Sequence, residues 1–319
     1  MPRISLRERI KQGLFLLDGA MGTELIARGI EAGVCNDYLN IDSPDVILEI
    51  HRSYLSVGCD AVLTNTFGAN KYALARHGLS DKVGKINLAG AQIACRAAGQ
   101  KRYVLGDIGP SGDFLEPLGN LKPQDLKDAF AEQAKALLDG GVDGFIIETM
   151  AALDEVAIAI EAVKSTSDDL PVLASFAFNS AGGDFRTMMG VDVEAAVSKV
   201  VSLAVDAVGF NCGTATLGEY VELAGKYVAT IKVLEKTRVT GDPSSEAELL
   251  RRTDGPRVTI FAEPNAGKPE LIDDRAVYKV SPEDFAAAAE KIHSAGVSII
   301  GGCCGTGPAH IKALAERLK

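Results

Sequence analysis

The sequence predicts a (β/α)8 barrel, the TIM fold, built as a single domain over residues 1–319. Three observations predict it. First, one pattern recurs: a small residue, often an acid after it, then an apolar run that ends in a polar residue. It stands as Gly58-Cys59-Asp60 through Asn65, as Gly141-Val142-Asp143 through Glu148, as Ala204-Val205-Asp206 through Cys212, and, without the acid, as Ala295-Gly296-Val297 through Cys303. Such near-continuous apolar runs suit parallel strands covered on both faces. Second, four more runs fill the gaps: Leu14 to Asp18, Tyr103 to Asp107, Val172 to Phe178 and Val258 to Glu263. Third, amphipathic segments separate the runs, so the chain alternates strand and helix eight times, which points to closure into a barrel.

The elements follow in order. Leu14 to Asp18 opens the barrel, and the segment Pro44 to Val57 is the first large helix, entered through Ser43-Pro44-Asp45 with proline and an acid in its first turn. Pro123 to Leu138 and Val193 to Leu203 read as further outer helices. Pro282 to Ser294 begins with Ser281-Pro282-Glu283-Asp284, the same kind of entry signal. The structural rival is an open doubly wound sheet, but no G-x-G-x-x-G follows the first strand. No Pro/Gly/Ser-rich linker divides the chain. Glu235 to Pro256, EKTRVTGDPSSEAELLRRTDGP, breaks the rhythm and reads as a polar surface insertion.

The chain has 319 residues, 47% of them hydrophobic and 24% charged, an ordinary globular composition. Its formal net charge is -10, which disfavours a nucleic-acid partner. The N-terminus, MPRISLRERIKQG, is charged, and no stretch reaches the ~20 apolar residues that cross a bilayer. The expectation is a cytoplasmic protein with no membrane partner. In that compartment the six cysteines call for metal binding, catalysis or burial rather than disulfides.

A barrel collects the C-terminal ends of its strands at one mouth. Three cysteines fall there: Cys212 after the sixth strand, and Cys303 and Cys304 after the eighth. Thiolates are soft ligands suited to Zn2+, and three of them leave a tetrahedral position open, the mark of a catalytic site. Adjacent cysteines on a regular strand would face opposite ways. Gly301, Gly302 and Gly305 allow the chain to turn so that both sulfurs reach one ion. A strained disulfide, or plain burial of one thiol, are the alternatives. Cys35, Cys59 and Cys95 read as bystanders, with approach to the mouth from the loop after the first strand as the alternative for Cys35, and His51, His77, His293 and His310, on or just after helices, read as structural. Asp107 stands at a strand end, where it either binds ligand or caps the next helix. Lys268 reads as solvated.

The strand ends LLDGAMGTEL, LTNTFGAN, GDIGPSG, FIIET, GFNCG, EPNAGKP and IIGGCCGTGPAHI resemble the homocysteine S-methyltransferases, above all the homocysteine-binding module of cobalamin-dependent methionine synthase. The resemblance covers almost the whole chain, and GxNC followed about ninety residues later by GGCCG is its most specific part. It implies zinc held by Cys212, Cys303 and Cys304 and L-homocysteine with its sulfur on that zinc. It implies the substrate ammonium at Glu148 with Asp18, and the substrate carboxylate at backbone N–H groups of Gly19, Ala20 and Met21. Asn65 and Asn211 count with the substrate-binding set. The alternative for Asn65, as for Asn265, is bracing of loops, and for Asn211 it is orienting a metal ligand.

The chemistry expected is methyl transfer to the homocysteine thiol, giving methionine. A free alkyl thiol has a pKa near ~8.5, and zinc coordination deprotonates it. Three thiolates leave the zinc with a net charge of about −1, which keeps an added sulfur nucleophilic for SN2 attack on an electrophilic methyl group. The sequence contains no corrinoid-binding D-x-H-x-x-G and no folate site. Because the motifs look most like those of methionine synthase, the expected donor is a methylcorrinoid supplied by a separate protein, with methylfolate upstream. Direct use of S-methylmethionine or a betaine is the alternative, as is a non-catalytic homocysteine-binding subunit. Met189-Gly190 stands where the family resemblance leads one to expect Ser/Thr-Gly.

Overall fold

The computed structural model describes residues 3–31, 33–240, 258–272 and 275–319. Eight parallel strands form one sheet: β1 Phe15–Leu16, β2 Ala61–Leu63, β3 Tyr103–Ile108, β4 Gly144–Met150, β5 Val172–Phe176, β6 Ala207–Asn211, β7 Thr259–Glu263 and β8 Ile299–Ile300. The order β1-β8-β7-β6-β5-β4-β3-β2 brings first and last strands side by side, as a barrel requires. Outside lie α1 Pro44–Ser56, α2 Val83–Ala98, α3 Pro123–Asp139, α4 Leu153–Thr166, α5 Val193–Ser202, α6 Leu217–Thr240, α7 Pro282–Ala295 and α8 Pro308–Leu318. The remaining seam, between β1 and β2, is closed by one backbone bond, Asp60 N–H to the Leu16 carbonyl at 2.6 Å. Two side chains complete it: Asp60 accepts from Leu16 N–H at 2.9 Å, and Asp18 accepts from Leu63 N–H at 3.1 Å.

Period-two alternation sorts the apolar residues into two cores. Phe15, Leu17, Leu105, Ile146, Leu173, Phe261 and Ile299 fill the barrel interior. Leu6 and Ile10, from the N-terminal helix Leu6–Arg9 and its cap, join them and plug the lower end. The larger cluster packs strands against helices. Space inside is matched side by side: a Cβ on Gly209 would sit 2.5 Å from the Phe261 ring.

The recurrent acid has a structural purpose. Asp60, Asp143 and Asp206 each accept a backbone N–H from the start of the preceding strand, at Leu16, Val104 and Val172 respectively. Each also faces an N-terminal arginine: Arg9 for Asp60, Arg3 for Asp143 and Arg7 for Asp206. The acid-free copy puts Ser298 at the equivalent corner, where only backbone bonds to Ile260 and Phe15 join the strands.

Two boundaries differ from expectation. β8 ends at Ile300 because Gly301–Cys304 leave the sheet to turn into the mouth. Glu235–Thr240, expected in the polar insertion, are instead the last turns of α6, and residues 241–256 of that insertion lie outside the described residues. Among the described residues no helix is long and apolar enough to cross a membrane.

Because Asp206 serves both a buried N–H and Arg7, Asp206→Ala is expected to lower the unfolding free energy by roughly 1.5–3 kcal/mol. Urea titration checks this; an unchanged midpoint and slope would mean that water replaces the carboxylate without cost.

Candidate metal and substrate site

Local backbone turns aim the three thiols. β6 ends at Asn211, and Cys212 takes φ +53°, a left-handed conformation uncommon outside glycine. Gly213 continues the turn at φ +81°, and a Cβ there would lie 2.0 Å from the Phe178 carbonyl oxygen. Tyr220 holds the turn from α6, its hydroxyl donating to the Cys212 carbonyl at 2.6 Å. On the other side Cys303 N–H donates to the Pro264 carbonyl, and Thr306 donates to the Cys303 carbonyl through N–H and hydroxyl. Gly305, at φ +81°, passes beneath the Tyr278 ring. Cys303 and Cys304 are therefore outside any strand, and the alternation that would separate them does not apply.

The result is a compact trio. The sulfurs of Cys212, Cys303 and Cys304 all lie within 4.8 Å of one another. Cys304 Sγ is 3.9 Å from both Cys212 Sγ and Cys303 Sγ. Disulfide sulfurs would be ~2.05 Å apart. Zn–S bonds of ~2.3 Å at tetrahedral angles would hold sulfurs about 3.8 Å apart, so the trio fits a metal ion without rearrangement. Bonds from Cys212 and Cys303, with help from Tyr278, hold the Cys304 thiol far below its usual range. The same bonds and burial push Cys303 up.

Next to the trio a cavity of about 450 Å³ opens, lined by residues from the ends of β1 to β4, β6, β7 and β8. Gly19, Ala20 and Met21 line it beside Asp18, Asp107, Glu148 and Glu263. Burial dominates the acids. Glu148 is pushed up to about 8 by burial and then by the Cys304 charge. Asp18 is raised by burial despite its bond from Leu63. Asp107 and Glu263 are raised by burial and next by Glu148. An empty cavity thus favours protonated acids, and a cation placed among them restores their charge.

Asn211 does not line the cavity. Its Oδ1 accepts from Thr149 N–H at 2.9 Å and from the Ser175 hydroxyl at 2.8 Å. Its Nδ2 donates to Glu148 Oε2 at 2.9 Å and to Thr149 Oγ1 at 2.8 Å, and lies 3.8 Å from Cys303 Sγ. Thr149, at φ +63°, is thereby fixed in a strained irregularity of β4 directly after Glu148. Asn65 reaches the cavity wall, but its amide donates to the Asn36 carbonyl and to Asn40 Oδ1, bracing the loop before α1. Asn265 braces the Cys212 turn through the Gly213 carbonyl at 2.9 Å. Asp107 caps no helix: α3 begins at Pro123 with Lys122 as its cap.

Two bystanders of the sequence reading stand at the mouth after all. Cys35 and His77 both line the cavity, Cys35 from the loop after β1 and His77 from the turn after the helix Lys71–Ala75. Cys59 is buried, and Cys95 points at the Gly141 carbonyl. Sequence reasoning missed Tyr54, Tyr220, Tyr278 and Thr306. Tyr54, from α1, donates to the carbonyls of Ala20 and Thr306 and ties the two loops together. Nothing in the local sequence of a helix signals such a contact.

A parallel barrel whose mouth carries a metal-competent trio of thiols beside buried acids is a metal–thiolate enzyme scaffold. The homocysteine S-methyltransferase family model matches residues 15–318, and the chain belongs to that family. The methionine synthases of Mycobacterium tuberculosis (strain ATCC 25618 / H37Rv) and Mycobacterium leprae (strain TN) are each 34% identical to it over 330 aligned residues. Those alignments cover 97% of this chain but 25% of either relative, so the chain spans about a quarter of their length. The metallated form of the homocysteine methyltransferase MmuM from Escherichia coli shares the fold, with a TM-score of 0.72 at 21% identity over 98% of this chain and 99% of that one.

Replacing Asn211 by leucine would strip the acceptor from the Thr149 N–H and the Ser175 hydroxyl. The expected loss is at least about 2 kcal/mol of stability by chemical denaturation. A variant as stable as the parent would show that these groups find water instead.

Proposed function

We propose that this chain transfers a methyl group to the thiol of L-homocysteine, giving methionine, with Zn2+ held by Cys212, Cys303 and Cys304. The observation that carries the reading is the spacing of the three sulfurs, which matches a tetrahedral thiolate set beside a cavity sized for an amino acid. Zinc held by three thiolates supplies an open position for a fourth sulfur, favours its deprotonated form and, with a net charge of about −1 on the protein set, leaves that sulfur nucleophilic.

The protein's own groups do the rest. Glu148, steadied by Asn211, takes the substrate ammonium, and Asp18 adds a second carboxylate. Charge-assisted bonds of this kind are stronger than neutral ones and fix orientation. The substrate carboxylate meets backbone N–H groups at Gly19 and Met21; the Ala20 N–H is turned onto Thr306 and contributes less. Asn211 acts through Glu148, and Asn65 shapes the wall. In the reaction the sulfur lone pair forms the new S–CH3 bond while the departing donor keeps the electron pair of the bond that breaks. The donor in this reading is a methylcorrinoid on a separate protein, recharged by methylfolate. Support for it is the likeness of the strand-end motifs, LLDGAMGTEL to IIGGCCGTGPAHI, to the homocysteine-binding module of cobalamin-dependent methionine synthase. The chemistry needs reduced thiols, which the cytoplasm maintains.

The purified chain is expected to hold one zinc, and Cys212→Ala to lose both the metal and at least about 10³-fold of homocysteine methylation. Metal analysis with methionine formation checks both; metal-free protein that still methylates homocysteine would refute the zinc mechanism. Supplying methylcobalamin on a carrier protein, S-methylmethionine or betaine in parallel decides the donor. Turnover is expected with the corrinoid carrier, and turnover with S-methylmethionine or betaine alone would overturn that assignment.

A further inference from the structure

Strand alternation places Asp107 one step above the apolar interior. Tyr103 and Leu105 face inward on β3, so Asp107 does too, and it lines the cavity at 6% exposure. Its backbone is pinned on both sides. The N–H donates to Thr64 Oγ1 at 2.9 Å, and the carbonyl accepts from Thr66 Oγ1 at 2.7 Å. Yet its side-chain Oδ1, buried, has no hydrogen-bond partner among the described residues. A fixed, buried carboxylate oxygen without a donor is costly unless a ligand supplies one.

The neighbourhood says which part of a ligand. β3 is hydrogen-bonded to β4, which carries Glu148, with Leu105 opposite Gly144 and Asp107 opposite Ile146. Glu148 is also the charge that Asp107 feels most. Glu263, the other acid with an unpartnered oxygen, sits on the thiol side: its carbonyl takes the Cys212 N–H, and a Cβ on Gly301 would lie 3.3 Å from its Cγ. A primary ammonium has three N–H donors. Glu148 has one oxygen already engaged by Asn211, and Asp18 is engaged by Leu63. One donor is left over.

We propose that Asp107 is a further substrate-binding and specificity-determining residue, whose free carboxylate oxygen accepts the third N–H of the substrate ammonium. The proposal rests on the reading that Glu148 seats that ammonium. It makes the site selective for an amino-acid thiol over the same thiol without its amino group, because only the ammonium satisfies Glu148, Asp18 and Asp107 at once.

The test is calorimetric binding to the zinc-loaded chain, with L-homocysteine and with 4-mercaptobutanoate, which lacks the amino group. Asp107→Asn is expected to weaken L-homocysteine about tenfold or more. Binding of 4-mercaptobutanoate should stay the same or tighten, since a negative charge has been removed. Zinc content should remain that of the parent. Asp107→Ser serves as a second variant if the asparagine form does not fold, with the same expectation. Homocysteine affinity within about twofold of the parent, or an equal loss for both ligands, would overturn the proposal. Glu148→Gln separates the two levels of inference. If it weakens homocysteine while Asp107→Asn does not, only the role of Asp107 fails. If it has no effect, the ammonium is seated elsewhere and both readings fail.

Discussion

Closure of a parallel barrel is the constraint on which the site depends. Eight strands running the same way deliver all their C-terminal ends to one rim, however far apart those ends lie in sequence. The sulfurs of Cys212 and Cys304 are thereby brought to 3.9 Å from each other, although about ninety residues separate them in the chain. Closure in turn leans on a few polar contacts. The β1–β2 seam is held by the Asp60 backbone and by two aspartate side chains, and one of these, Asp18, also lines the cavity. A residue in the substrate wall is thus part of what holds the wall together.

The site is built from strain below and desolvation above. Cys212 and Thr149 adopt left-handed backbone conformations that cost of order 1–3 kcal/mol each. Asn211 lies between them and uses its full amide to hold Glu148, Thr149 and Ser175. The carboxylates gathered around Glu148 are buried and mutually repulsive. Such an arrangement is unfavourable when empty and favourable when a cation arrives, which is how a binding site gains affinity and selectivity together. The lower end of the barrel solves the same electrostatic problem differently: there Asp60, Asp143 and Asp206 are paired with arginines supplied by the N-terminal segment.

Much of this was legible in one dimension. The repeated small–acid–apolar pattern announced four of the strands, and apolar run length announced the others, because burial on both faces leaves few residue types to choose from. The pattern did not announce why the acid recurs; that it accepts a backbone N–H from the preceding strand is visible only once strands are paired. The polar strand ends were readable as a list, and the three mouth cysteines stood out because soft ligands are rare and their flanking glycines unusual. For Asn211 the sequence left open substrate binding and the orienting of a metal ligand; its amide donates to Glu148 and lies 3.8 Å from Cys303 Sγ. For Asn65 it left open substrate binding and the bracing of a loop, and the amide braces the Asn36–Asn40 loop.

By itself, then, the sequence determined the number and kind of elements, the residues at each strand end and the family resemblance carried by those ends. It did so because strand periodicity, glycine at tight turns and thiolate chemistry are local properties. The tertiary structure decided which strand-end groups share a cavity, which are consumed by the scaffold and which keep an oxygen free. Asp18, Asp107 and Glu148 are all strand-end acids in the sequence; only the fold shows that one closes a seam, one is held by an amide and one waits without a partner. Those distinctions depend on distances between residues remote in the chain, and no local rule encodes them.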